Sequence, residues 1–164
     1  MVVQPRLRLA LIGLGRLGAI RARILAFQQP RIEFVAACDT KPGASEWAAA
    51  NLPSSVQFFA DPEDCMRNSG AEAVLISTAT ATHAPLICLA LDLDLVSQVV
   101  LSYEVATLQA DIRQHVICEK PISMDLGQTQ EVLSKADSKP HLKFLVPFTR
   151  RCGYLWSPHF HLIY

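Results

Sequence analysis

The sequence predicts an α/β fold built on a doubly wound parallel sheet, and two observations carry that prediction. Short apolar runs suited to buried strands alternate with segments of helical periodicity along most of the chain. The first apolar run ends in three glycines, Gly13, Gly15 and Gly18, with the spacing G-x-G-x-x-G. Regular alternation of strands and helices produces parallel sheets with right-handed crossovers, and a glycine-rich turn between strand and helix is typical of such sheets.

Composition limits the function classes. The chain has 164 residues, 51% of them hydrophobic, and no net charge at pH 7, which suits one domain with a real core and predicts no nucleic-acid partner. No uncharged apolar stretch reaches the roughly 18 residues of a membrane span, and the N-terminal apolar run predicts a strand and not a signal peptide. Five scattered cysteines without C-x-x-C spacing predict buried thiols in a reducing, cytoplasmic compartment: Cys38, Cys65, Cys88, Cys118 and Cys152.

The glycine turn predicts a pyrophosphate site. Gly13 permits the tight turn out of the first strand, Gly15 lets a phosphate approach the backbone, and Gly18 lets the following helix pack closely against the strand. Arg16 and Leu17 complete the turn, and the anion lies at the helix N-terminus on N–H groups without partners. The spacing alone is weak evidence, so its value depends on the rest of the chain.

An acidic residue at the end of the second strand supplies part of that context. Apolar residues at helical spacing follow the glycines, Gln28–Pro30 ends the helix, and Ile32–Cys38 reads as the second strand. Asp39 follows at once, about 20 residues after the third glycine, where an acid accepts hydrogen bonds from the adenosine ribose; Thr40 lies beside it. The alternative is a solvated aspartate that opens the next turn.

Asp39 also favours NAD over NADP. A carboxylate about 4 Å from a 2′-phosphate feels a repulsion of about 4 kcal/mol at an effective dielectric constant near 20. Lys41, two residues later, weakens this argument because its ammonium group could reach a 2′-phosphate. We therefore expect NAD, with NADP as the less favoured cofactor.

The next elements follow from turn and cap signals. The pattern predicts a helix over Ser45–Asn51 and a strand over Val56–Phe59. A further helix begins with Asp61 as its cap and Pro62 as its first residue. The run Ala73–Ser77 is then a buried strand, the fourth in the order β-α-β-α-β-α-β.

Hydroxyl side chains and a histidine follow the fourth strand. Ligands bind at the carboxyl ends of the strands in such sheets, and Thr78 and Thr80 suit a ribose or phosphate contact. His83 stands at the start of a helix over Ala84–Leu91, where it caps the helix or contacts the cofactor. The plain alternative is a helix-start histidine without a ligand.

The fifth strand, His115–Glu119, leads into Lys120. A lysine at a strand's carboxyl end, followed by proline, is placed to give a charge-assisted hydrogen bond to a substrate oxygen; a surface-loop lysine is the alternative. Ser123 then caps a predicted helix over Met124–Ala136, with Leu126, Thr129, Val132 and Leu133 on one face. A sixth strand, Phe144–Phe148, carries a proline that suggests a sheet edge or a strand end.

These residues together resemble the N-terminal NAD(P)-binding domain of the Gfo/Idh/MocA oxidoreductases, and in particular inositol 2-dehydrogenases. The segments that carry the resemblance are ALIGLGRLG at 10–18, AACD at 36–39, STATATH at 77–83, ICEKPIS at 117–123 and FTRR at 148–151. The Glu-Lys-Pro signature after a buried strand is much more specific than the glycine motif. Ala79 stands where the family usually has proline.

The resemblance implies a Rossmann domain followed by a second domain that completes the substrate site. It implies hydride transfer between the nicotinamide and a secondary alcohol, typically of a sugar or polyol, which is the small-molecule partner of the full-length relatives. Residue by residue, it assigns the cofactor contacts to Thr78, Thr80 and His83 as well as the glycines and Asp39, and it places Glu119 and Lys120 beside the nicotinamide. Lys120 is the catalytic candidate, because the family's lysine often orients or polarises the reacting oxygen.

The expected dinucleotide-binding domain spans 6–151. One stretch inside this domain and one stretch after it depart from the family pattern. Residues 92–114 are an atypical insertion where a short loop is expected. Three explanations stay open: an extension of the preceding helix or an extra element, an insertion particular to this family member, or translated intron. Residues 152–164 are a tail without family resemblance, whose His159 and His161 are too few for a metal site. The substrate domain is expected to be missing, so the chain would bind cofactor without turnover; a non-catalytic NAD-binding module and a mis-translated gene model are the alternatives. The oligomeric state stays open.

Overall fold

The computed structural model describes residues 6–93, 115–118, 120–140 and 143–145. Its strands are β1 Leu7–Ile12, β2 Ile32–Cys38, β3 Gln57–Phe59, β4 Ala73–Ile76, β5 His115–Cys118 and β6 Lys143–Leu145. Its helices are α1 Arg16–Gln28, α2 Ala44–Asn51, α3 Pro62–Asn68, α4 His83–Asp92 and α5 Leu126–Asp137, and a short 3₁₀ turn covers Thr80–Thr82. The predicted alternation of strands and helices is therefore confirmed.

The strands form one parallel sheet in the order β3-β2-β1-β4-β5-β6. The chain moves outward from β1 to β3 and then returns to the other side of β1 for β4. This is the doubly wound arrangement predicted from the sequence, and it opens a crevice at the carboxyl ends of β1 and β4, where the strand order reverses. β6 lies at the edge of the described sheet, which is one of the two positions that the sequence predicted for the sixth strand.

The central strands are buried on both faces. Every residue of Leu9–Ile12 is at most 1% exposed, and every residue of β4 is at most 2% exposed. Helices on both sides of a parallel sheet produce such continuous apolar strands. α4 covers this part of the sheet with Ile87, Ala90 and Leu91, which are fully buried. The crevice therefore lies at the carboxyl ends of two strands whose central residues are almost completely buried.

Helix α1 buries a different face from the one that its large apolar residues indicate. Leu17, Ile20 and Phe27 are all more than half exposed. The buried face instead consists of small residues with one arginine and one leucine: Gly18, Arg21, Ala22 and Leu25. At Gly18 the helix approaches the glycine turn so closely that a Cβ would overlap the Gly13 carbonyl oxygen, which fixes the face of the helix that turns to the sheet.

The predicted N-cap of α3 is correct and the predicted N-cap of α5 is wrong. Asp61 caps α3 as expected, because its Oδ1 accepts a hydrogen bond from the Asp64 N–H at 2.8 Å. Ser123 does not cap α5: Asp125 is the cap, and its Oδ1 accepts from the Gln128 N–H at 2.8 Å. Ser123 Oγ instead accepts from the Asp125 N–H at 3.0 Å, so α5 begins at Leu126 and not at Met124.

The predicted apolar face of α5 is also only partly buried. Val132 is fully buried, whereas Leu126 is 71% exposed and Leu133 is 44% exposed. Thr129 uses its hydroxyl within the first turn, where it donates to the Asp125 carbonyl oxygen at 2.9 Å. The helix therefore contacts the rest of the domain along a narrow strip.

Several predictions fall on residues outside the described part of the chain. These are the insertion beyond Leu93, Glu119, the segment 146–151 and the tail 152–164. Among the described cysteines, Cys38, Cys65 and Cys118 are buried and Cys88 is partly buried, all as free thiols. A search of the described helices finds none long and apolar enough to cross a membrane.

Candidate cofactor site

A cleft of about 750 Å³ lies at the carboxyl edge of the sheet, which is a volume typical of ligand sites. Most of the site residues predicted from the sequence line it: Gly13, Gly15, Arg16, Leu17, Asp39, Thr40, Thr78, Thr80, His83 and Lys120. Gly18 lies beneath the turn and not on the cleft wall. Glu119 lies outside the described residues.

The first and third glycines are required by the fold itself. Gly13 has φ +100°, and a Cβ there would lie 2.5 Å from the carbonyl oxygen of Ser77. A Cβ on Gly18 would overlap the carbonyl oxygen of Gly13. Gly13 also donates its N–H to the Cys38 carbonyl oxygen at 2.7 Å, so the turn is fixed between β2 and β4.

The second glycine borders open space. No described atom lies within 4 Å of the position that a Cβ on Gly15 would occupy. Gly15 is also the N-cap of α1, and among the described residues no side chain caps that helix. The first intrahelical hydrogen bond runs from the Ala19 N–H to the Gly15 carbonyl oxygen at 2.8 Å, so the N–H groups of Arg16 and Leu17 have no intrahelical acceptor.

Asp39 joins β2 to the glycine turn through its carboxylate. Oδ2 accepts a hydrogen bond from the Leu14 N–H at 2.7 Å, and Oδ1 accepts from the Lys41 N–H at 2.9 Å. The two bonds hold the Asp39 carboxylate in one orientation beside the cleft. Each of its oxygens can accept a second hydrogen bond, which is available for a ligand.

The segment after β4 is a hydroxyl-rich turn. Thr82 Oγ1 lies 2.8 Å from Thr78 Oγ1 and 2.8 Å from the Ala79 carbonyl oxygen. These bonds order the turn that brings Thr78 and Thr80 to the cleft. Ala79 has φ −73°, which lies in the range that proline adopts, so the backbone at this position is compatible with the proline expected from the family resemblance.

His83 follows β4 and Lys120 follows β5, and both residues line the cleft. His83 does not cap α4, because Thr82 occupies the N-cap position; that alternative is wrong. Its ring is 2% exposed, with Nδ1 2.9 Å from the Pro121 carbonyl oxygen and Nε2 3.2 Å from the Thr78 carbonyl oxygen. Lys120 is exposed and lines the cleft.

A comparison with known protein families decides the identity of the domain. Residues 7–146 match the Gfo/Idh/MocA model, which describes an oxidoreductase family with an NAD-binding Rossmann fold. The chain belongs to this family. The Rossmann fold, the NAD-binding class and the oxidoreductase relationship predicted from the motifs are thereby confirmed.

Several proteins that are similar to this chain are inositol dehydrogenases. The chain is 26% identical over 145 residues to inositol 2-dehydrogenase of Arthrobacter sp. (strain FB24), covering 88% of this chain and 37% of that protein. It is similar in structure to myo-inositol 2-dehydrogenase from Lactobacillus plantarum (TM-score 0.72, 28% identity, 91% of this chain and 38% of the other). It also resembles scyllo-inositol dehydrogenase from Lactobacillus casei with bound NAD(H) and scyllo-inositol (TM-score 0.71, 26% identity, 90% and 37%). The chain therefore spans well under half the length of these relatives.

In this Gfo/Idh/MocA domain, sequence reasoning missed two cleft residues that contact each other. Arg21 is 7% exposed and donates from Nη1 to Ser77 Oγ at 2.6 Å, and both residues line the cleft. Burial lowers the pKa of the Arg21 guanidinium below its ordinary value. A signal was present, since Arg21 stands three residues after Gly18 and must share its face of α1.

Proposed function

We propose that this chain binds NAD(H) in the cleft at the carboxyl edge of the sheet. In this proposal it is the cofactor-binding domain, spanning 6–151, of an oxidoreductase that acts on a secondary alcohol of a sugar or polyol. One observation carries the proposal: the Asp39 carboxylate after β2 is joined to the turn that contains the open face of Gly15, by the bond from the Leu14 N–H to Asp39 Oδ2 at 2.7 Å. A phosphate site and a ribose site are thereby built side by side.

The pyrophosphate is assigned to the N-terminus of α1. Gly15 leaves room for close approach to the backbone, and the N–H groups of Arg16 and Leu17 precede the first intrahelical bond. The positive end of the helix dipole, roughly half an elementary charge, favours an anion at this position. The exposed Arg16 side chain lines the same wall and adds a mobile positive charge.

The adenosine ribose is assigned to Asp39, which supports NAD rather than NADP. The carboxylate is held by two backbone N–H groups, so it cannot swing away from a 2′-phosphate without giving up those bonds. A phosphate about 4 Å away would meet a repulsion of about 4 kcal/mol at an effective dielectric constant near 20. Lys41 uses its backbone N–H to hold Asp39, which supports a role in shaping the site besides any contact with a phosphate.

The nicotinamide is assigned to Glu119 and Lys120, and the cleft wall along the cofactor is assigned to Thr78, Thr80 and His83. When bound, NAD accepts or supplies the hydride in the oxidoreductase chemistry of the family. Lys120 is exposed at the cleft, where its ammonium group can donate a hydrogen bond to a substrate oxygen and stabilise negative charge on it. The names of the relatives, which act on myo- and scyllo-inositol, support a cyclic polyol as the substrate class.

Turnover requires a general base within hydrogen-bond reach of the substrate hydroxyl in addition to these groups. Among the described residues of the cleft, His83 already faces two backbone carbonyls and Lys120 serves as a donor. We therefore expect this chain to bind cofactor without oxidising polyols. The absence of net charge and the buried free thiols support a small-molecule partner and a cytoplasmic location.

The test is a titration of the full chain with NADH followed by nicotinamide fluorescence. Saturable binding is expected, with weaker binding of NADPH, and incubation with NAD and inositol should produce no NADH. A folded preparation that does not bind NADH at millimolar concentration would refute the proposal. NADH formation with inositol would show that the chain carries its own base.

A further inference from the structure

His83 is a buried side chain whose two ring nitrogens both face backbone carbonyl oxygens. Nδ1 lies 2.9 Å from the oxygen of Pro121 and Nε2 lies 3.2 Å from that of Thr78. A neutral imidazole carries its proton on one nitrogen only, whereas an imidazolium donates from both. When Nδ1 carries a proton, the ring donates to the Pro121 carbonyl oxygen and joins the start of α4 to the segment after β5, which the sequence separates by 38 residues.

The ring stands on a rigid support. α4 is fixed to the sheet by Ala84, Ile87 and Leu91, which are at most 4% exposed, and His83 is its first residue. His83 is only 2% exposed, whereas a histidine that merely began a helix at the surface would be solvated. Groups held on a packed helix are placed more precisely than groups on loops.

Lys120 stands immediately before the residue that His83 holds. On its N-terminal side, Cys118 ends β5 and pairs with Ile76 of β4. On its C-terminal side, the Pro121 carbonyl oxygen contacts the His83 ring, and Ile122 packs against the hydrophobic core. Among the described residues, β5 holds one side of Lys120, and the His83 contact and the packing of Ile122 hold the other.

We propose that His83 is a positioning residue: its Nδ1 contact with the Pro121 carbonyl holds the Lys120–Pro121 segment so that Lys120 faces the nicotinamide end of the cleft. This inference rests on the proposed function, because it needs a dinucleotide in the cleft. It assigns His83 an action through Lys120 and not a direct contact with the reacting atoms. The contact from Nε2 to Thr78 is secondary in this account.

Two substitutions separate the two contacts. The amide nitrogen of asparagine stands as many bonds from Cα as Nδ1 does, and that of glutamine as many as Nε2 does. His83→Asn therefore keeps a donor for Pro121, and His83→Gln keeps a donor for Thr78. Both are polar and smaller or more flexible than histidine, so each is a control for the general disturbance that the other causes.

The experiment titrates the full-length wild type and both variants with NADH and with ADP-ribose, which lacks the nicotinamide. Losing one hydrogen bond to the positioned segment should weaken NADH binding by about fivefold in His83→Gln, with ADP-ribose binding unchanged. His83→Asn should bind both probes within about twofold of wild type. In a Lys120→Met background, His83→Gln should cause no further loss, because residues that act through one another are not additive.

Equal losses for NADH and ADP-ribose in His83→Gln would show a merely structural role and overturn the inference. So would a loss that persists in the Lys120→Met background, or a Lys120→Met variant that binds NADH as tightly as wild type. A wild-type chain that binds neither probe would remove the proposed function and this inference together. A wild-type chain that binds both, with an unchanged ratio in His83→Gln, would remove this inference alone.

Discussion

The two ends of the cleft are built in different ways. The phosphate end, Gly13–Gly18 with Asp39, comes from one strand-turn-helix unit and the strand beside it. The lysine end, Thr78, His83 and Lys120, comes from two segments, one after β4 and one after β5, that meet only when these strands pair in the sheet. The phosphate end is thus a product of local backbone geometry, and the lysine end is a product of tertiary assembly.

The two ends of the cleft also differ in the chemical groups that line them. The phosphate end uses backbone N–H groups, the helix dipole and the absence of side chains at glycines. The lysine end uses side chains, namely hydroxyls, an imidazole and an ammonium group. Backbone features leave a strong spacing pattern in a sequence, whereas the partners of side chains do not. Substitutions at the two ends should accordingly fail in different ways.

The largest expected effect is at Gly15. In Gly15→Val the side chain would fill the open space beside the turn, so NADH affinity should fall by about 100-fold or more, which corresponds to about 2.7 kcal/mol. No described atom lies near the new Cβ, so the thermal unfolding followed by circular dichroism should change little. Retained NADH binding would show that the phosphates lie elsewhere.

The second effect concerns cofactor choice at Asp39. Asp39→Ala removes the charge that repels a 2′-phosphate, and the ratio of NADP to NAD affinity should rise by about tenfold or more. It also removes the acceptor for the Leu14 N–H, so affinity for both cofactors should fall. Asp39→Asn is the matched variant: it removes the charge at similar size and should shift the ratio by a similar factor. Titrations that give the wild-type ratio for both variants would refute the ribose assignment.

Substitution of Gly18 tests whether the phosphate end also contributes to the stability of the domain through close packing of α1. In Gly18→Ala the Cβ would overlap the carbonyl oxygen of Gly13, and the adjustment should lower the free energy of unfolding by about 1–3 kcal/mol. Denaturant unfolding measures this directly. Gly15→Ala, which meets open space, is the control and should leave stability nearly unchanged. Equal stability of the two variants would contradict the distinct roles of these glycines.

The smallest effect lies next to the lysine end, at the start of α5. Asp125→Ala removes the cap that accepts from the Gln128 N–H and should cost about 1 kcal/mol of stability. Ser123→Ala should cost less, because Ser123 supports Asp125 through an exposed bond. A larger loss in Ser123→Ala would restore Ser123 as the cap of this helix.

The cap of α5 shows where reading the sequence reached its limit. Ser123 and Asp125 are both good caps, and the residues around them allow a helix to start after either one. The structure selects Asp125, because Ser123 accepts from the Asp125 N–H and donates to Gln128 Oε1 at 2.6 Å. At α3 the proline after Asp61 removed that ambiguity, and the predicted start was right.

The face of α1 shows a second limit. Helical periodicity predicted the helix, but the large apolar residues Leu17, Ile20 and Phe27 lie outward. The requirement for close approach at Gly18 outweighs the preference of those side chains for burial, because an overlap with backbone cannot be relieved by a rotamer change. The orientation that Gly18 fixes also turns Arg21 inward, where it donates to Ser77 Oγ, although arginines usually lie at the surface.

The amino-acid sequence was enough to predict the strand-turn-helix unit, the parallel doubly wound sheet, the acid after β2 and the family, because each depends on the spacing of residues that are neighbours in the chain. Three contacts could be seen only in the folded domain: Asp39 with Leu14, Arg21 with Ser77 and His83 with Pro121, over separations of 25, 56 and 38 residues. The physical reason is that a side chain at this edge acquires its partner from strand order, and strand order is a property of the whole sheet.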